Sequence, residues 1–402
     1  MSRPAPALAG ATPAPAAMLA VLCSTTFLVA SAGTAIAPFL LQMTHDLSAE
    51  LAAVANLVSV MSVAWGLTSL AAGTASDRVG RRLILTGGVL TLGGARVGLA
   101  LAETYSSAVT WQLVTGIGGG AFMGTVFAAV SDRVAPAQRG RALGWVITGQ
   151  SLSLVFGVPL LTLVGAVGGW RGAIATQGVV TLGATLAVWA VVPRTPRRPA
   201  AAPSSVALIP LLRPRVLALL GAGTMERSCF AAMAVYLATY LLTSYGVSLA
   251  ELAVALALVA AGNLAGNLLG GQVADRLPAR PLSFAASSVV TGVLALPLLL
   301  WQPGVAISIA LGFAYSLTNA LGRPSLMAAL SEVSSEARGA LLGLNITTGS
   351  VGWLGATALG GWLVTRFGFG ALGVFCAASG LVGGGLAAAS WWAAPAGAPR
   401  TN

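Results

Sequence analysis

Four charged side chains sit deep inside apolar runs of this 402-residue chain: Arg96, Glu226, Arg227 and Arg323. Charges within hydrocarbon are expensive and usually face a cavity or a partner. Glu226 is the single deep carboxylate; there it can exchange protons or bind a cationic ligand. The competing reading is a structural ion pair with Arg227 or with Arg323. Arg323 with Asn319 is a candidate for contact with a solute, whereas Arg96 is expected to be structural. Polar residues in other apolar runs add cavity candidates, namely Ser31, Thr34, Gln112, Gln150, Asn263, Asn267 and Asn345. Tyr236 and Trp353 can stack on a flat ligand. Polar groups in lipid also glue helices together, so each of these has a plain packing role open to it. No catalytic constellation accompanies them. The chain has one histidine, His45, no metal-spaced Cys/His cluster and no GxxxxGK[ST] phosphate loop. An enzyme, a metal and a cofactor are not expected.

The elements that must position these residues follow from composition. The chain is 56% hydrophobic and 8% charged, with a mean hydropathy of +0.87. Soluble domains carry roughly 25% charged residues, so this one cannot clothe a water-facing surface. Runs of about 20 apolar residues, each able to cross about 30 Å of hydrocarbon as a helix, recur from end to end. The expected class is an all-α membrane protein of twelve transmembrane helices in two six-helix bundles. The spans fall near 18–41, 52–75, 83–102, 108–130, 141–165, 172–192, 216–242, 251–273, 282–302, 304–330, 340–363 and 370–392. The first run ends in "SAGTAIA", which mimics a cleavage site. It is too long and too weakly basic at its start for a signal peptide, so it is expected to be retained.

Every one of the 21 basic residues is arginine, and with the amino terminus inside sixteen of them fall on one side. Only Arg171 and Arg366 fall on the other. Arginine in short loops resists translocation, so the rich side is expected to be cytoplasmic, with both termini. The net charge of +11 is accounted for by this topology and by anionic headgroups, which leaves no need for a nucleic-acid partner. Abundant Ala, Gly and Arg without Lys fits a GC-rich bacterial genome and hence an inner membrane. Cys23, Cys229 and Cys376 each lie within a span and are read as small apolar residues.

The chain also repeats itself. Asp77-Arg78 returns as Asp275-Arg276, 198 positions later, and "SDRVAPAQRGRALG" from Ser131 matches "SEVSSEARGALLG" from Ser331. Between the copies lies a Pro- and Arg-rich stretch. The expected organisation is a disordered tail 1–17, a six-helix bundle 18–192, a cytoplasmic linker 193–215, a second bundle 216–392 and a tail 393–402. Parallel repeats of this kind build transporters that rock around a midplane site.

With these features the chain resembles the major facilitator superfamily along nearly its whole length. The loop "GTASDRVGRR" fits the family pattern G-x-L-a-D-R-x-G-R-[RK]-x-x-l at Gly73, Asp77, Arg78, Gly80, Arg81, Arg82 and Leu85, with Ala75 in place of the usual Leu. In the family this cluster latches the two halves when the cavity opens outward. The resemblance implies a latch of Asp77 and Arg81 with Asp132, and a weaker copy of Asp275, Arg276 and Glu332. "GQSLSLVFGVPLLTLVGAVGGWRGA" looks like the fifth span of drug–proton antiporters and of sugar and purine exporters, matching at Gly149, Gly157, Pro159, Gly165, Gly169, Trp170 and Arg171. Gly149, Gly157 and Pro159 would form a helix pivot. Two departures stand out. Leu161-Thr162 replaces the motif's Gly-Gly, and Gln112 stands where the antiporter pattern places an arginine thought to move protons.

The resemblance implies a secondary-active transporter working by alternating access, with the seventh and tenth spans lining its cavity. The leading expectation is efflux of a small amphiphilic compound driven by a proton gradient. Import by symport or uniport is the alternative, and a non-transporting receptor a remote one. The expected partners are a small-molecule substrate and the lipid bilayer, for a chain that works as a monomer.

Overall fold

The computed structural model describes residues 16–134, 138–194, 213–333 and 338–392. The expected tail up to residue 15, most of the linker 193–215 and the tail 393–402 lie outside them, as does 334–337 of the second repeat motif. Every regular element among the described residues is helical. The first half of the chain gives α1 (Ala16–Ala32), α2 (Leu40–Asp46), α3 (Leu51–Val79), α4 (Arg81–Ala100), α5 (Tyr105–Ser131), α6 (Arg139–Leu152) and α7 (Val158–Val191). The second half gives α8 (Pro214–Tyr245), α9 (Leu249–Arg276), α10 (Arg280–Leu300), α11 (Val305–Val333), α12 (Arg338–Phe367) and α13 (Phe369–Trp392).

Ten helical runs among the described residues are long and apolar enough to cross a membrane. One of them, Arg141–Val191, has 51 residues and is kinked at Gly169, whose φ of 63° breaks α7 into two arms. That left-handed angle favours glycine. The 30-residue α12 lies outside those ten. The first expected span is also not one helix. α1 stops at Ala32, and the chain passes through a turn and a short 3₁₀ helix, Ala37–Phe39, before α2. Pro38 supplies no N–H, so the ladder cannot run through it.

The helices of each half pair alike. α3 packs along α5 and α9 along α11; α4 lies on α7 and α10 on α13; α1 lies on α6 and α8 on α12. Small residues spaced by four allow the closest of these approaches. Gly116, Gly120 and Gly124 of α5 lie against the carbonyls of Met61, Trp65 and Ser69 on α3. In the second half the glycines sit on the other partner. Gly262, Gly266 and Gly270 of α9 lie against the carbonyls of Phe313, Leu317 and Leu321 on α11.

The apolar core divides by depth. At the arginine-poor end one cluster unites both halves, running from Ile36, Phe39, Val54 and Val58 to Tyr236, Leu252, Leu298 and Ala356. Towards the arginine-rich end there are two clusters. Leu22, Val89, Phe122 and Val188 belong to the first half alone, and Leu219, Phe284, Leu330 and Ala387 to the second alone.

Candidate functional site

At mid-depth between the halves the charges of α8 and α11 converge. The Glu226 side chain is 4% exposed. Its Oε2 accepts from Arg227 Nε at 2.7 Å, and its Oε1 accepts from Nη2 of Arg227 and Nη2 of Arg323, both at 2.9 Å. Both sequence alternatives for its ion pair are therefore realised together, in one triad. Asn319 Nδ2 donates to the Glu226 backbone carbonyl at 3.4 Å. The two guanidiniums lie 5.1 and 5.4 Å from the ring centre of Phe230, within cation–π reach. Phe230 meets Trp353 edge-on at 5.8 Å. Gly349 and Gly352 of α12 leave the room in which the Arg227 stem lies.

A cavity opens beside Phe230. Thr34, Ala37, Leu154 and Val158 line it from the first half. The second half contributes Phe230, Met233, Ala234, Leu237, Ala238, Leu256, Val259, Ala260, Asn263, Tyr315 and Ser316. The broken first span delivers Thr34 to this wall, and irregular backbone at membrane depth is tolerated where it lines such a space. Thr34 Oγ1 and Asn263 Nδ2 have no hydrogen-bond partner among the described residues. Asn267 Nδ2 donates to the Asn263 side-chain oxygen at 3.1 Å and holds that amide in place.

Other candidates lie elsewhere. Tyr236 is buried in the shared core and donates to the Thr357 carbonyl. Ser31 donates to its own helix, at the Phe27 carbonyl. Gln112 is buried with both amide atoms unpartnered among the described residues, and Asn345 packs against Gly223. Gln150 is exposed on α6. Arg96 is fully buried in α4, apart from the triad, and its three guanidinium nitrogens have no hydrogen-bond partner among the described residues.

The pivot residues bring α6 against α1. A methyl at Gly149 would strike the Cys23 carbonyl, and one at Gly157 the Ser31 hydroxyl. Directly before Pro159 the helix loosens into one π turn, Ser153–Gly157, because the proline lacks a donor and its ring crowds the preceding turn. The Gly-Trp-Arg end of the motif fastens the arginine-poor face. Trp170 Nε1 donates to Asp46 at 2.9 Å, and Arg171 donates to the carbonyls of Ala100 and Ala102 at 2.9 and 2.6 Å. His45 is exposed beside Asp46, on a shallow dent of that face.

At the arginine-rich end Arg81 opens α4 and is 8% exposed. It pairs with Asp77, donates through Nε to Asp132 at 3.1 Å and through Nη1 to the Gly73 carbonyl at 3.2 Å. Gly80, with φ 108°, makes the one-residue turn that permits this. Arg82 lies 3.9 Å over the Trp189 ring, while Arg78 is exposed. These contacts all fall within the first half. In the second half Glu332 pairs with Arg280, while Asp275 and Arg276 are exposed. The register explains the change. Asp77 precedes Arg81 by four residues, but a longer turn places Asp275 five before Arg280. The sequence reading missed Arg280 as a cluster member, although its place, one position past the 198-residue repeat of Arg81, was there to be read. It also missed Phe230, one helical turn beyond Glu226 on the same face.

Matched sets of long apolar helices enclosing a polar cluster and a cavity at mid-depth define a multi-pass helical membrane bundle with a central site. A sequence profile of the Major Facilitator Superfamily matches residues 22–321 and 219–402, and the chain belongs to that family. It is a membrane-embedded transporter and not an enzyme. An uncharacterized MFS-type transporter of Bacillus subtilis is 30% identical over 36% of this chain and 35% of its own length. A chloramphenicol resistance protein of Streptomyces lividans is 26% identical over 69% of this chain and 76% of its own. Another, of Pseudomonas aeruginosa, is 34% identical over 32% of this chain and 31% of its own. The chain thus spans about a third of two of these three relatives. Among solved structures, a bacterial homolog of the human lysosomal transporter Spinster, inward-facing and occupied, superposes with a TM-score of 0.75. It covers 95% of this chain and 97% of that one at 15% identity, a likeness of fold.

Proposed function

We propose that this chain is a secondary-active exporter of a small amphiphilic compound, working by alternating access about the cavity beside Phe230. One observation carries the reading: the halves share a core at one end and keep separate cores at the other. A site between them is then reachable from one side only, which is what alternating access requires of each state. Twelve crossings follow if the two arms of Arg141–Val191 and α12 are each counted. The positive-inside rule supports a cytoplasmic arginine-rich end in a bacterial inner membrane, and hence an inward-open state. Similarity to chloramphenicol resistance proteins supports export. A proton gradient is the proposed driving force and a monomer the proposed unit.

A second reading, import by proton symport, is favoured by the triad itself. An incoming anion and Glu226 would compete for the same two guanidiniums. A proton on Glu226 would therefore favour the anion, so that the two travel together. A deletion strain separates the readings: sensitivity to exported compounds supports export, and lost uptake supports import.

Alternating access has its own test. Ser59 and Thr357 touch across the halves through their hydroxyls. With the three native cysteines replaced by alanine, a Ser59→Cys/Thr357→Cys pair in proteoliposomes is expected to cross-link in one state and separate in the other. A pair that stays joined while solute crosses would remove the reading.

A further inference from the structure

The geometry points to an amphipathic monocarboxylate as the substrate class. Its carboxylate would sit on Arg227 and Arg323, and its apolar body would lie along α8 from Phe230 to Ala238. This inference rests on the transport reading above and is independent of direction.

Charge is the first ground. Two guanidiniums meet one carboxylate, a formal sum of +1 at mid-depth. Among the described residues no other carboxylate lies in the middle of a helix to cancel it. Of the ten acidic residues, Glu226 is in the triad and Glu336 lies outside the described residues; the remaining eight all lie within three residues of a helix end. A buried charge is retained where something pairs with it.

Donor geometry is the second. A guanidinium offers five N–H groups in a planar fork, and Glu226 engages only Nε and Nη2 of Arg227 and Nη2 of Arg323. Arg323 Nε is buried without a hydrogen-bond partner among the described residues. The two arginine side chains are 23% and 22% exposed, whereas Glu226 is 4% exposed. An approaching solute therefore meets arginine before it meets glutamate. An incoming carboxylate finds fork-shaped donors; an incoming ammonium would have to pass two positive charges to reach a carboxylate already bound twice.

The cavity supplies the third ground. It starts at Phe230, whose ring touches both guanidiniums, and follows α8 to Ala238. These lining positions are spread along about 12 Å of α8, eight residues at 1.5 Å each. Met233, Leu237 and Val259 make its walls apolar. Thr34 Oγ1 and Asn263 Nδ2, without partners among the described residues, can bond a neutral polar group on the body. The surplus of one charge selects a monoanion, because a dianion would leave the site negative.

Binding to the purified full chain, measured by calorimetry, tests the inference. The probes are 3-phenylpropionate and octanoate, with 3-phenylpropionamide as neutral analogue, 3-phenylpropylamine as cationic analogue and acetate as the head alone. At least one of the two carboxylates is expected to bind at least tenfold more tightly than the amide, amine and acetate. Arg323→Gln leaves a neutral Glu226–Arg227 pair and is expected to lose at least tenfold on the carboxylate. Arg227→Gln, which leaves the other neutral pair, serves equally if the first does not fold. Glu226→Gln is expected to bind the carboxylate as tightly as the parent or more so. Failure of both carboxylates to bind, amine or amide binding as tight as theirs, acetate binding as tight, or unchanged carboxylate affinity in the arginine variants would each overturn it. The Ser59/Thr357 cross-link needs no substrate. A cross-link that opens and closes without carboxylate preference therefore sinks the substrate class alone, and the reverse result sinks alternating access alone.

Discussion

The two ends of the bundle are held by opposite means. At the arginine-poor end the halves merge into one apolar core, and backbone comes close to backbone where Gly361 of α12 faces Ala52 of α3. At the arginine-rich end each half keeps its own core, and Arg81 and Arg280 are paired within their own halves. Parting the first end exposes apolar area, at about 25 cal/mol per Å². Parting the second leaves those ion pairs intact. The state seen here is thus fixed by burial at one end and tolerated by self-contained charges at the other.

The strongest way to break this contrast is to crowd the joined end. Gly361→Leu forces a side chain into Ala52, and overpacking costs about 1–3 kcal/mol. Cross-linking between Ser59→Cys and Thr357→Cys is expected to fall about tenfold, and transport with it. Arg81→Ala acts at the open end on a buried side chain whose partners are Asp77, Asp132, the Gly73 carbonyl and the Ser76 hydroxyl. Stranding them is expected to cost about 1–3 kcal/mol and to lower the thermal midpoint by several degrees.

Ser59→Ala removes one hydroxyl pair between the halves, worth about 0.5–1.5 kcal/mol. Labelling of an Ala356→Cys thiol, set in the shared core beside an intact Thr357, should rise between about twofold and tenfold as the joined end opens more often. Arg280→Ala should do least. Its partner Glu332 is 52% exposed, and exposed pairs are worth about 0–1 kcal/mol. A loss as large as that of Arg81→Ala, read by the same thermal unfolding, would show the two inner clusters to be equivalents.

Legibility followed the range of each interaction. The adjacency of Glu226 and Arg227, the Gly80 turn and the loosened helix before Pro159 are local, and the sequence announced them. The break after Ala32 escaped because Gly33 and Pro38 stand inside an otherwise unbroken apolar run. The pairing of Glu332 with Arg280 was misassigned because one extra turn residue shifts a register that the repeat had made look constant. The contact of Ser59 with Thr357 joins positions 298 apart and carries no local signal at all.

The sequence by itself determined a membrane bundle with two matched halves and an arginine-rich end. Those follow from transfer energies and charges that add residue by residue along the chain. Only the tertiary structure decided that Arg323, 97 positions from Glu226, joins its pair. A net charge inside a bilayer depends on which groups come within hydrogen-bond reach across helices. That sum became +1 only when the third partner was brought in.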